Sequence, residues 1–442
     1  MLKAFNTKSQ DEKLPFLFLF FIALLTLLPF ICFRRQFHKL FWFGDELDLL
    51  SQLRHHTFWD WLFIPFAESF VPLFKLLWGG ATILFSGSYF AMEIIVWLTH
   101  ALNAFLLGVI LLEAGLGIFI AVLSMLTFGL AWSNIETLGW SVQWSAILSI
   151  TFFLIGILFL QRKIKSDIIV SKFQFLLYGL VLFASTLSFA RGILSCLVLF
   201  LLSVMYYIAF KESKSKATKF AIIALLPALF VTIIIFLTAG GNHQKVLSLD
   251  IKIVFLMFQY ATHVFFLNPM YHLFTLPGES SLYIYSLGAL KTLVITASFF
   301  VTKSTRGRLI LGALFFFDLG NACLLGLARY HEGLAAAVSW RYQYVSLIAS
   351  FPFFVVTLNW IFDNLFHSKS IRHATSMVLI SLWVYQIASP WHERLEDWSG
   401  WRGKHGRRAL LRDDPAYRNW LGIPSMVSFD EAKATVKEFN LH

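Results

Sequence analysis

Long apolar runs separated by short polar loops dominate this chain. Runs near 14–33, 88–112, 115–133, 144–161, 173–189, 192–210, 219–239, 282–302, 309–328, 340–362 and 373–389 are close to the roughly 20 residues a helix needs to cross about 30 Å of hydrocarbon. The pattern predicts eleven membrane-spanning helices. Basic clusters at Lys163, Lys214, Lys303 and Lys369 follow the runs they flank, which places those loops in the cytoplasm, the N-terminus inside and the C-terminus outside. Ile251–Asn268 is apolar enough for a twelfth crossing, but counting it would put Lys303, Arg306 and Arg308 outside. It is therefore expected to be re-entrant or interfacial. It carries His263, ends in Asn268 and Pro269, and leads to His272 and Glu279, residues suited to a wet cavity.

The 442 residues are 58% hydrophobic, above the roughly 45–50% usual in soluble domains. An all-α polytopic membrane protein is expected. The net charge of +11 comes largely from the loop clusters that set topology, so no nucleic-acid partner is implied. Cys32, Cys196 and Cys323 each lie inside an apolar run, which suggests no disulfide framework. Lys3, Lys8 and Lys13 precede the first run, which reads as a retained signal anchor.

The polar residues divide the chain into a transmembrane domain over 1–389, with an acidic external loop at 34–88, and a small external subdomain over 390–442. In that loop, FWFGDELDLL holds Asp45, Glu46 and Asp48. A single carboxylate at the bilayer centre costs about 2.5–3.5 kcal/mol even on the mildest scale, so this stretch belongs at the membrane surface. The rest of the loop mixes Trp59, Trp61 and Phe66 with Arg54, His55, Asp60 and Glu68, a composition for interfacial helices.

Four further groups carry candidate chemistry. Glu93, Trp97 and His100 share one helical face with Asn103 beside them, a stripe for packing against protein or water. In WSNIETLGWSVQW, Glu136, Trp140 and Trp144 recur at helical spacing with Gln143 adjacent; an acid and two indoles on one face suit a sugar, although tryptophan is also an interfacial anchor. Arg191, Arg329 and Arg341, the last followed by Tyr342, sit at outer span ends, where planar guanidinium forks suit a phosphate and headgroup snorkelling is the plainer use. Asp318 lies deep in its span, about 16 Å along the helix from Arg329, and needs another partner or a proton.

In order along the chain, Asp45-Glu46 in the first external loop, Pro72-Leu73, His100-Ala101-Leu102-Asn103-Ala104, Glu136 before Trp140, and Arg341-Tyr342 resemble the signature of the GT-C superfamily. These membrane glycosyltransferases use polyprenyl-phosphate-linked sugars and include the protein O-mannosyltransferases and bacterial relatives. The resemblance covers most of the first 350 residues. Gly44 before the acidic pair and the lack of a second Asp-Glu pair are departures from it.

The resemblance implies transfer of a sugar from a polyprenyl-phosphate donor to a hydroxyl of a lipid, glycan or protein, on the external face and with inversion. Asp45 would be the base, with Glu46 as the close alternative. Glu136, Trp140, Gln143, Glu68 and His100 would orient acceptor or donor. Arg191, Arg329, Arg341, Tyr342, His263 and His272 would hold the phosphate. No cofactor is required, and a divalent cation bridging Asp45, Glu46 and Glu136 is an option, since carboxylates suit hard cations. The main alternative is a transporter or flippase with Glu93, His100 and Asp318 on its path; a noncatalytic assembly subunit and a surface-polysaccharide polymerase or ligase are the others.

Overall fold

The computed structural model describes residues 2–66, 69–165, 170–210, 214–238, 250–268, 281–365, 369–414 and 427–442. Glu68, His272 and Glu279 lie outside them. The described residues are helical, joined by turns, and carry one isolated bridge, between Phe66 and Ser69, in place of any strand. The all-helical expectation holds.

The count of eleven spans is not reached. By length and composition, seven described helices can cross a membrane, and an eighth is made by Ile118–Leu130 and Trp132–Leu138, bent by 51°. Lys172–Ser188, Ile251–Leu267 and Tyr285–Val301 are apolar but shorter, and Lys369–Ala388 is a further helix of 20 residues. Hydropathy windows cannot separate a full crossing from a helix that is merely apolar, so among the described residues the count of eleven is not confirmed.

The loop after the first span folds into short helices: Arg34–Phe37, Asp45–His55, Phe58–Phe63 and Pro72–Leu84. The last begins at a proline, whose missing N–H costs nothing in the first turn. Lys75 is fully buried, and its Nζ donates to the carbonyls of Trp61 (3.0 Å) and Ile64 (2.7 Å), satisfying the free end of Phe58–Phe63.

Ile251–Leu267 runs antiparallel to Thr305–Arg329. Met257 and Ala261 lie against Gly326, whereas Phe265 packs edge-on to Phe315. Its C-terminal end therefore stops at the depth of Asp318, well inside the span, and leaves carbonyls that lipid cannot satisfy. Lys291, fully buried on the next helix, supplies the donors. Its Nζ binds the carbonyls of Phe265 and Asn268 and pairs with Asp318 at 2.7 Å. Asp318 in turn accepts from Ser346 (2.6 Å) and Ser350 (2.9 Å). This is the partner that the sequence demanded for Asp318; the turn expected to follow the helix falls in residues 269–280, which lie outside the described ones.

The C-terminal residues fold back on the short helices of residues 34–63 and on the end of Ile118–Leu130. Trp391 is buried and donates to Leu130 O at 2.8 Å. Phe429–Glu438 lies on the acidic helix, where Glu431 receives Ser51 (2.9 Å) and Arg54 (2.9 Å). His442 pairs through its backbone with Gly87 and Tyr89.

Candidate active site

The acidic pair divides into two unlike residues. Gly44 caps the helix Asp45–His55 at φ +55°, a conformation glycine takes without strain, and the three acids fall in the first turn, where the helix dipole favours them. Glu46 turns inward and is fully buried. Its Oε1 accepts from Ser141 Oγ (2.6 Å), Tyr89 OH (3.1 Å) and Val142 N (3.3 Å), and its Oε2 from Phe43 N (2.9 Å). Arg402 lies 3.5 Å from Oε2. Burial pushes the Glu46 carboxyl up, and Arg402 with these donors pulls it back. Asp45 is half-buried. Burial raises it too, opposed by the charges of Arg341, Arg329 and Arg402 in that order.

Arg402 comes from a π-helical turn, Gly400–Lys404. It is fully buried and donates to Gly139 O (2.8 Å) and Tyr89 OH (3.4 Å), with the rings of Phe43, Trp398 and Trp140 4.8, 5.1 and 5.4 Å from its guanidinium carbon. Flanking aromatic rings compensate a buried cation. Sequence reasoning missed this residue. Its one signal was an arginine set among Trp398 and Trp401 in an external tail.

Glu136 lies in the short helix Ile135–Leu138, which gives way at Gly139 to a 3-10 turn, Ser141–Gln143. The common face expected for Glu136, Trp140 and Trp144 is therefore not formed, because helical spacing means nothing across a break. Trp140 is buried against Phe43 beneath Arg402, and Trp144 donates to Thr99 Oγ1 at 2.9 Å. Gln143 is half-buried in the turn. Glu136 faces the other wall, accepting from Arg341 N (3.0 Å) and Ser339 Oγ (3.3 Å).

The arginines converge. Arg329 and Arg341 each donate to Glu332 at 3.0 Å, and Tyr342 OH reaches it at 3.4 Å. Glu332, also missed from the sequence, holds two guanidinium forks side by side. Arg191 starts the helix Arg191–Ala209, is almost fully buried, and lies over Phe189 at 5.2 Å. Among the described residues no carboxylate is within ion-pair distance of Arg191. Behind Tyr342, Gln343 binds Asn268 Oδ1, and Asn268 Nδ2 donates to Ala337 O at 3.2 Å. The 3-10 turns that carry Arg341 thus rest on the end of the helix Ile251–Leu267.

The structure does not bring the histidines here. His100 is fully buried, with Nδ1 on Tyr344 OH (3.0 Å) and Nε2 on Gly129 O (3.1 Å), so both ring nitrogens are spent on holding helices together. His263 Nδ1 binds Gln259 O of its own helix at 2.9 Å, and its ring lines a separate cavity of about 450 Å³ with Tyr285 and Gly288. The optional cation bridge between Asp45, Glu46 and Glu136 finds no ligand group among the described residues. Every acceptor position of Glu46 is occupied, and among the described residues no three His, Cys, Asp or Glu side chains group as metal ligands.

No family model and no curated protein sequence matches this chain. Two solved structures of the Archaeoglobus fulgidus oligosaccharyltransferase do. The enzyme AglB in complex with an inhibitory peptide and a dolichol-phosphate superposes with TM-score 0.50 at 14% identity, over 86% of this chain and 56% of that one. The apo form superposes with TM-score 0.50 at 13% identity, over 92% and 59%. The chain therefore spans somewhat more than half the length of these neighbours. At such identity the likeness concerns the fold alone: this multi-pass helical chain shares the fold of the membrane part of these oligosaccharyltransferase structures.

Proposed function

We propose that the chain transfers a sugar from a polyprenyl-phosphate-linked donor to a hydroxyl acceptor at the external membrane surface, with Asp45 as base. The observation that carries this reading is the division of labour in the acidic pair. Glu46 is consumed by structure, whereas Asp45 stands half-buried among three arginines. The acceptor oxygen attacks the anomeric carbon as its proton passes to Asp45, the bond from carbon to phosphate oxygen breaks, and the electron pair leaves with the lipid phosphate. Attack opposite the leaving group inverts the centre. A carboxylate pushed above its usual range by burial is the better proton acceptor, and Arg191, Arg329 and Arg341 stabilise the charge that grows on the phosphate. Glu136 fixes the backbone of Arg341 and faces the same space. The archaeal neighbour is in complex with a dolichol-phosphate, which supports a lipid-linked phosphate as the class of donor.

The test is incubation of the purified protein with radiolabelled polyprenyl-phosphate sugars and extracted envelope acceptors. Label transfer by the wild type and none by Asp45→Asn supports the reading. No transfer from any such donor, with the lipid instead moved between leaflets in vesicles, would replace it with the flippase.

A further inference from the structure

A second cationic site lies on the other face of the segment that carries Arg402. Lys404, Arg407, Arg408 and Arg412 meet His38 and Lys39 around a cavity of about 940 Å³, whose lining includes one carboxylate side chain, Glu396. Among the described residues no carboxylate lies within ion-pair distance of Lys39, Lys404, Arg407 or Arg412. Arg407 Nε is buried without an acceptor while its terminal nitrogen donates to His38 O at 3.0 Å. Like charges gathered within about a Debye length of each other repel unless an anion joins them. The cavity also sits at the membrane surface. His38 follows the first span by six residues, and its ring lies 5.2 Å from Phe90 in the first turn of the next. Phe90 and the exposed Leu411 add apolar walls.

We infer that this cavity binds the phosphate headgroup of an anionic lipid, with the guanidinium and ammonium groups on the phosphate oxygens and the acyl chains leaving past Phe90 along the outer span ends. Several cations converging on one centre suit a phosphomonoester, which presents three oxygens and up to two charges, better than a single carboxylate. The site is separate from the Arg191, Arg329 and Arg341 cluster and does not depend on the proposed transfer.

The experiment measures equilibrium binding of radiolabelled short-chain phosphatidic acid to the full-length protein in neutral detergent, with phosphatidylcholine and inorganic phosphate as competitors. Lys404 and Arg412 are exposed, so the double variant Lys404→Glu, Arg412→Glu should fold, which a thermal melt verifies. Saturable binding that phosphatidylcholine does not displace, weakened about tenfold or more in the double variant through lost charge-assisted contacts, is the expected result. The Arg341→Ala variant should bind as the wild type does. Equal affinity in wild type and double variant, or equal displacement by phosphatidylcholine, overturns the site. Inorganic phosphate competing as well as the lipid overturns the lipid as its source, and loss of binding in Arg341→Ala moves the ligand to the other cluster.

Discussion

Two buried ion pairs support opposite walls of the candidate site, and they are built differently. Glu46–Arg402 lies outside the spans, 3.5 Å apart, and Glu46 receives four other hydrogen bonds, all from neutral donors. Lys291–Asp318 lies within the bilayer at 2.7 Å, and Lys291 has the two carbonyls of a broken helix end as its other partners. In the first pair the arginine is one donor among several and is backed by aromatic rings. In the second, the ammonium and the carboxylate meet directly, and hydrocarbon offers no water to replace a lost partner. The outer pair holds Asp45 in place and ties down the C-terminal segment. The inner pair holds the platform under Arg341. A protein can anchor a functional charge by redundancy near water, but needs strict pairing in lipid.

Five experiments test this contrast. The largest effect is expected at the residue that the outer pair supports. Asp45→Asn should lower turnover by about 10²–10⁴-fold, the usual worth of a general base, with the melting temperature unchanged; Glu46→Gln should cost less. A larger loss in Glu46→Gln would transfer the role of base.

Asp318→Ala leaves Lys291 charged in lipid and should destabilise the protein by about 3–5 kcal/mol, measured by unfolding in a denaturing detergent. The double change Lys291→Met, Asp318→Leu should recover part of that. Full recovery would mean that the carbonyls of Phe265 and Asn268 need no donor.

Arg402→Met leaves Glu46 with its neutral donors, so about 1–3 kcal/mol of stability should be lost. A cost equal to that of Asp318→Ala would remove the contrast between the pairs. At the platform, Arg341→Lys keeps charge and loses the fork, and catalytic efficiency should fall about tenfold, equivalent to about 1.4 kcal/mol. Near-normal efficiency in both Arg341→Lys and Arg341→Ala would leave Arg341 as a headgroup anchor.

The smallest effect is a shift in pH dependence. Asp45 must be ionised to accept a proton, so efficiency should fall as pH drops through a pKa above the ordinary aspartate value of 3.8. Arg341 holds that pKa down, and its removal should move the acid limb to higher pH. An unmoved limb in Arg341→Ala would separate Arg341 from Asp45.

Apolar runs made the membrane class and most helices legible in the chain alone, because a span is a local property of about 20 consecutive side chains. Charge in the loops, also local, set the expectation that Ile251–Asn268 turns back. Asp45, Arg329 and Arg341 could be singled out because a charge beside a span must face water or an anion. What escaped was every residue whose role depends on a distant partner. Arg402 meets Glu46 across more than 350 positions, Lys291 meets Asp318 across 27, and Glu332 gains its meaning only when Arg341 folds back beside Arg329. Nothing local marks such a residue, since the desolvation that makes a pair necessary exists only once the helices have packed. The same reason separates Asp45 from Glu46. Adjacent in sequence and alike in chemistry, they point to opposite sides of one helical turn, and only the packed structure decides which stays open to a substrate.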